Sequence, residues 1–186
     1  MAISRDNLLL HGISGTIGGQ VVIRQTRHGV VLASPPRRST KPPTEAQLQA
    51  RERFRRAIQY AKGATGNEEY QRLALLRGTS PFAIARKDFL NPPRILDLNL
   101  ARYHGKLGDI IEVRATDTVK VAGVALRIVA TNAREVERGD MVPSREDPEL
   151  WLYVASAQVP KGELTIEAEA TDLAGNRTVL SRSCSL

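Results

Sequence analysis

Cysteine is almost absent from this chain, and so are aromatic side chains. One cysteine, Cys184, excludes an internal disulfide and the multi-thiolate kind of zinc site. Aromatics make up 4% of residues, so a core must be built from Val, Ile, Leu and Ala, which the 41% apolar content supplies. Long apolar runs are lacking too. Leu8-Leu9-Leu10 is too short for a signal-peptide core, and no stretch approaches the length that spans a bilayer. A chain without a membrane span is expected, with an extracellular or cell-surface place favoured and no recognisable signal peptide. The three histidines, His11, His28 and His104, show no metal-ligand spacing and no nearby nucleophile or paired carboxylate. Each reads as a turn or surface residue. No catalytic residue, metal ligand or cofactor is expected, and the chain does not read as an enzyme.

Charge, by contrast, is abundant and unevenly placed. Residues 1–95 carry 16 Lys/Arg against 6 Asp/Glu, and residues 96–186 carry 11 against 14. The change coincides with Asn91-Pro92-Pro93 and with a switch from helical to alternating periodicity. The chain therefore reads as α+β in two parts. Residues 1–93 form a basic hairpin and helical module; residues 94–186 form an all-β, Ig-like sandwich.

Residues 12–33 predict a β-hairpin. Glycines at 12, 15, 18 and 19 precede Gln20 to Gln25, Thr26 to Gly29 make the turn, and Val30 to Ala33 return. The glycines fit close backbone approach or bulging. Neither a Walker-type nor a dinucleotide glycine loop is present, and Ser14 lacks the spacing of a nucleophile elbow. Residues 34–43 hold four prolines and three basic residues, an extended arm that cannot be helical.

Three helices follow, over about 44–62, 67–77 and 80–90. Thr44 and Gln47 spell a capping box, and Gly63 and Gly66 mark the first stop. Ala46, Ala50, Phe54, Ala57, Ile58 and Ala61 share a stripe, with Arg51, Arg53, Arg55 and Arg56 largely off it. Asn67 caps the second helix and Gly78 ends it; Ser80-Pro81 starts the third. Beyond residue 94, strands are expected at 110–115, 119–130, 150–155, 164–170 and 178–183. Trp151 and Tyr153 would anchor the core. Turn material is read at 104–105, 117–118, 138–140, 160–162 and 174–176. Asp117 and Asp172 end strands in matching Ala-Thr-Asp contexts, which suit Asx turns or, less simply, a Ca²⁺ site.

Gly-Ile-Ser-Gly-Thr-Ile-Gly-Gly-Gln-Val-Val at 12–22, Pro-Pro-Thr-Glu-Ala-Gln at 42–47 and Arg-Glu-Arg-Phe-Arg-Arg-Ala at 51–57 resemble an uncharacterised bacterial family. Its members open with a Ser-Gly-Lys-x-Gly hairpin and continue with Pro-x-Thr-x-Ala-Gln and a basic helix. Thr16 stands where that family has Lys, and the resemblance implies no activity. From Arg94 the chain resembles bacterial Ig-like modules, through Ile-Glu-Val-Arg-Ala-Thr-Asp at 111–117, Val-Ala-Gly-Val-Ala-Leu-Arg-Ile at 121–128, Trp-Leu-Tyr at 151–153 and Ala-Thr-Asp-Leu-Ala-Gly-Asn at 170–176. Such modules imply a surface-exposed spacer or adhesive unit.

These features point to assembly. A hairpin and short helices have little apolar surface to close a core, and a lone hairpin is marginal without a partner sheet. The expected partners are copies of the chain in head-to-tail contact, with nucleic acid as the rival for the basic half. The expected subunit interface uses Val21, Val22, Ile23, Val30, Val31 and Leu32. Phe54 and Ile58 would pack a helix onto those strands, and Arg51, Arg55 and Arg56 would meet acidic neighbours. The product would be a filament, tube or surface appendage with the sandwich outside, or a virion or tail component.

Overall fold

A computed structural model describes residues 2–4, 8–10, 12–26, 28–36, 41–130, 134–159 and 162–186. The chain divides into two compact units, residues 1–45 and 46–186. The three helices, which the sequence groups with the hairpin, thus share a unit with the sandwich. The reason lies in their small apolar faces, which find cover on the loops of the sandwich rather than on one another alone.

The first unit is one antiparallel sheet. Its strands are β1 (Ala2–Ser4), β2 (Gly15–Ile17), β3 (Val21–Thr26) and β4 (Gly29–Ala33), in the order β1-β4-β3-β2. The expected hairpin is β3–β4, closed at Thr26 and Gly29, where the Thr26 hydroxyl donates to the Gly29 carbonyl at 2.7 Å. Glycines 18 and 19, both at positive φ, turn the chain from β2 into β3, a geometry that suits residues without a Cβ. Of the proline-rich arm, residues 37–40 lie outside the described residues, and the described remainder shows no helix or strand.

In the second unit, α1 (Glu45–Ala64), α2 (Glu68–Arg77) and α3 (Pro81–Leu90) occupy nearly the expected spans. Gly63 lies inside the last turn of α1 rather than ending it. Asn67 caps α2 through its side-chain oxygen, which accepts from the amides of Glu69 and Tyr70, and Gly78 ends the helix at φ 60°. Ser80 caps α3, with Pro81 in its first turn.

The sandwich faces two four-stranded sheets. One holds β5 (Arg94–Asn99), β6 (Ile110–Thr116), β10 (Leu150–Val154) and β9 (Val142–Pro143), ordered β5-β6-β10-β9. The other holds β7 (Val121–Ala130), β8 (Glu135–Asp140), β11 (Glu163–Asp172) and β12 (Arg177–Ser185), ordered β12-β11-β7-β8. Burial in β11 alternates residue by residue, so Leu164, Ile166, Ala168 and Ala170 enter the core. There they meet Val124, Leu126 and Ile128 of β7, Ile111 and Val113 of β6, and Trp151 and Tyr153 of β10.

Residues 138–140, read as a turn, are instead the end of β8. Gly139 makes this possible, since a Cβ there would stand 2.8 Å from the Tyr153 ring. The Tyr153 hydroxyl donates to Glu137 at 2.8 Å, and the Ser156 hydroxyl and amide donate to the same carboxylate oxygen. These donors hold the buried Glu137 below the ordinary carboxylate range despite the cost of burial.

Candidate interaction surfaces

The N-terminal sheet has two unlike faces. Residues directly opposite in an antiparallel pair share a face, so Ile17, Val21, Ile23, Leu32, Val30 and Gln25 lie on one side. Thr16, Val22, Arg24, Val31 and Ala33 lie on the other. The six strand residues expected at an interface therefore split between faces: four on the first, and Val22 and Val31 beside Arg24 on the second.

Only part of the first face is covered within its unit. β1 and β2 are opposite edges of the sheet, so the connection between them must cross it. The Gln25 side chain marks the crossing, because its amide donates to the carbonyls of Leu10 at 2.9 Å and Ile13 at 2.8 Å. Ile23 and Val30 on that face are buried. Toward β2 the cover ends: Ile17 is 57% exposed, Ile13 44% and Val21 37%.

Helix α1 presents a second surface. Its buried residues are Ala57 and Ala61, while Phe54 is exposed and Ile58 half-buried. The Arg86 guanidinium of α3 lies 5.7 Å from the Phe54 ring centre, so Phe54 faces α3. Arg55 and Arg56, three and four positions along the helix, both reach Glu52 from exposed side chains, and Arg51 is exposed. Arg53, not singled out as an interface residue, donates to the Leu90 carbonyl at 2.9 Å and so satisfies the C-terminus of α3. A depression of about 630 Å³ runs beside α1, lined by Leu48, Glu52, Arg53, Arg56, Phe89 and Asn176.

Beneath the helices lies a buried acidic cluster that sequence reading missed. Asp88 of α3 is fully buried, and its Oδ2 accepts from the Tyr70 hydroxyl at 2.7 Å. The Tyr70 hydroxyl meets that of Tyr60 at 2.9 Å, and Tyr60 reaches the Leu173 carbonyl at 3.2 Å. Asn176 donates to the Asp88 and Phe89 carbonyls and to Asp172, tying α3 to the β11–β12 turn. Burial raises the Asp88 pKa to about 6, with Asp172 and Asp117 adding to the rise and the Tyr70 hydrogen bond opposing it. Burial likewise raises the pKa of both tyrosines, which keeps their hydroxyls protonated.

Each hydroxyl carries a single hydrogen, which gives the row a direction. With Asp88 ionised, Tyr70 donates to it and Tyr60 donates to Tyr70. With Asp88 protonated, the row can run the other way, from Asp88 through both hydroxyls to the Leu173 carbonyl. The arrangement joins the helices to the sandwich.

Asp117 and Asp172 serve as turn acceptors. Asp117 Oδ1 accepts from the amides of Val119 and Lys120, and Asp172 Oδ1 from that of Asn176. Among the described residues, no group of three or more His, Cys, Asp or Glu could hold a metal ion. His28 sits in the β3–β4 turn and His104 is exposed, while His11 lies outside the described residues. Among the described residues no helix is long and apolar enough to cross a membrane. The signal for the cluster was present in the Ala-Thr-Asp and Gly-Asn turns, but nothing in the spacing joined them to Tyr60, Tyr70 and Asp88.

No family model matches this chain, and no curated protein matches it. Among solved structures, CopC from Methylosinus trichosporium OB3b is similar at 12% identity and a TM-score of 0.38, over 50% of this chain and 91% of that one. An engineered protein is similar at 20% identity and 0.36, and a tetra-tandem repeat from the extending region of a large adhesion protein at 16% and 0.36. This chain spans 20% and 23% of the length of those two. At such scores none of the three speaks to function.

Proposed function

We propose that this chain is a structural subunit that assembles with copies of itself through its N-terminal sheet and carries the sandwich outside. The observation behind the reading is a sheet with a half-covered apolar face. A sheet that is apolar on one side needs a second layer, and this unit supplies only a crossing segment over Ile23 and Val30. The sandwich, in contrast, buries both of its inner faces on each other and has no such need. The uneven charge of residues 1–95 and 96–186 favours head-to-tail contact between copies, and heterologous contacts of that kind propagate into filaments or close into rings. A bacterial filament, tube or surface appendage is the product this reading favours, with a virion or tail component as its neighbour.

Light scattering and negative-stain microscopy of the full chain test it. Association that rises with concentration, and that is lost when residues 1–43 are deleted, is the expected result. A monodisperse monomer at every concentration and salt would sink the reading. Co-purifying nucleic acid released by high salt would move the function of the basic half to its rival.

A further inference from the structure

The edge strand β2 has a property that none of the four edge strands of the sandwich shares. Sheet edges invite pairing with other chains, and charges, prolines and bulges are what normally discourage it. In the sandwich those devices are in place. β9 is two residues long and ends in Pro143, β5 follows Pro92-Pro93 and is irregular between Ile95 and Asp97, and β8 is irregular where it meets Val129. The fourth edge, β12, carries Arg177 and Arg182. β2 has none of them: it is Gly-Thr-Ile, pairs regularly with β3, and lies in a stretch, residues 12–23, without a single charged side chain.

That stretch is conspicuous in a unit whose residues 1–45 hold six Lys/Arg against two Asp/Glu. A partner for a basic unit would ordinarily be acidic, but an acidic partner finds nothing to pair with along this edge. A second copy, which repels elsewhere, meets no like charge here.

The backbone also fixes which residue would face the partner. The Ile17 carbonyl accepts from the Gln20 amide in the turn toward β3, at 3.0 Å. The N–H and C=O of one strand residue point to the same side and alternate along the chain, so those of Thr16 point outward. We propose that β2 pairs antiparallel with β2 of a second copy about a two-fold axis at Thr16, joining two four-stranded sheets into one of eight. The inference rests on the reading that the N-terminal sheet is the assembling part.

In this register Thr16 opposes Thr16 of the second copy, and each gives its N–H to the other's carbonyl. Ile17 opposes the second copy's Gly15, whose missing side chain leaves room for it. The exposed Ile13, Ile17 and Val21 of both copies then form one continuous apolar strip. The apolar patch of one copy is only a few side chains, short of the roughly 800 Å² per partner typical of stable interfaces. Backbone pairing is therefore required, and the dimer is weak. A two-fold contact at β2 closes on itself, so growth beyond a dimer needs the separate head-to-tail contact.

Disulfide trapping of the full chain tests the geometry. In a Cys184→Ser background, Thr16→Cys should give a covalent dimer under oxidised glutathione, because opposed residues of a hydrogen-bonded pair lie about 5.5 Å apart, within disulfide reach. Ile17→Cys in the same background should trap at least tenfold less, since it opposes Gly15. Equal trapping at both positions would mean random collision and overturn the register. Association seen by light scattering without trapping at Thr16 would overturn the two-fold edge but leave the assembling sheet standing. A monomer by both measures would overturn both.

Discussion

The N-terminal sheet and the sandwich are built from the same kinds of residue, yet they solve different problems. Both are antiparallel, rich in Val, Ile and Leu, and poor in aromatics. The sandwich closes: alternating residues of β7 and β11 meet those of β6 and β10, and its edges are short, irregular or charged. The N-terminal sheet stays open, with one face half-covered and one edge bare. The difference lies not in hydrophobicity but in whether a second layer exists. One unit covers its apolar faces within a single copy; the other leaves Ile13, Ile17 and Val21 exposed.

The largest effects should therefore fall in the sandwich and be independent of protein concentration. Ile166 is fully buried between the sheets, and Ile166→Ala should lower the unfolding free energy by about 2–5 kcal/mol, read as a lower urea midpoint. The matching change in the open sheet, Ile17→Ala, removes a mostly exposed side chain and should shift the midpoint of dilute protein by under about 0.5 kcal/mol. If Ile17→Ala proved as damaging as Ile166→Ala at high dilution, the contrast between the units would fail.

Next in size is the buried acid. The folded pKa of Asp88, about 6, stands above its ordinary value of 3.8, so folding takes up a proton between those limits. Stability from this group is fully present below pH 3.8 and is lost as pH rises through 6. Across that window the loss amounts to about 3 kcal/mol. The full chain should thus melt higher at pH 5 than at pH 7, and Asp88→Asn should abolish most of that difference and melt higher than the parent at pH 7. A melting temperature flat from pH 5 to 7 would show that Asp88 is not protonated on folding. Groups held low by their partners, such as Asp109 and Asp147, act in the opposite direction only in more acidic solution.

A comparable cost, about 1–3 kcal/mol, is expected of Gly139→Ala, whose Cβ would meet the Tyr153 ring and loosen its bond to Glu137. A smaller one, about 1 kcal/mol, is expected of Arg53→Ala, which strips the Leu90 carbonyl of its donor. Both are read from urea midpoints, and neither should alter association.

Much of the second unit was legible in the sequence. Asn67, Gly78, Ser80 and Pro81 mark helix ends through local hydrogen bonding, which spacing alone reveals. Glu163 to Ala170 alternate cleanly because one face of β11 is core. What escaped was non-local. β5 and β8 carry polar or irregular patterns, and β8 is a strand only because Gly139 yields to a tyrosine fourteen positions on in sequence. The three-residue strands β1 and β2 are too short for any periodicity. The hydroxyl row ending at Asp88 joins α1, α2, α3 and the β11–β12 turn, a meeting that the charge boundary near residue 95 disguised. Among the candidate interface residues, alternation in β3 and β4 already implied two faces, and Arg24 tells which one is wet.

The central claim is that association requires the N-terminal sheet. Sedimentation velocity over a hundredfold range of concentration, on the full chain and on the full chain carrying Ile17→Lys, tests it directly. A sedimentation coefficient that climbs with concentration in the first and stays at the monomer value in the second is the predicted result. Equal climbing in both would place the contact elsewhere and contradict the account.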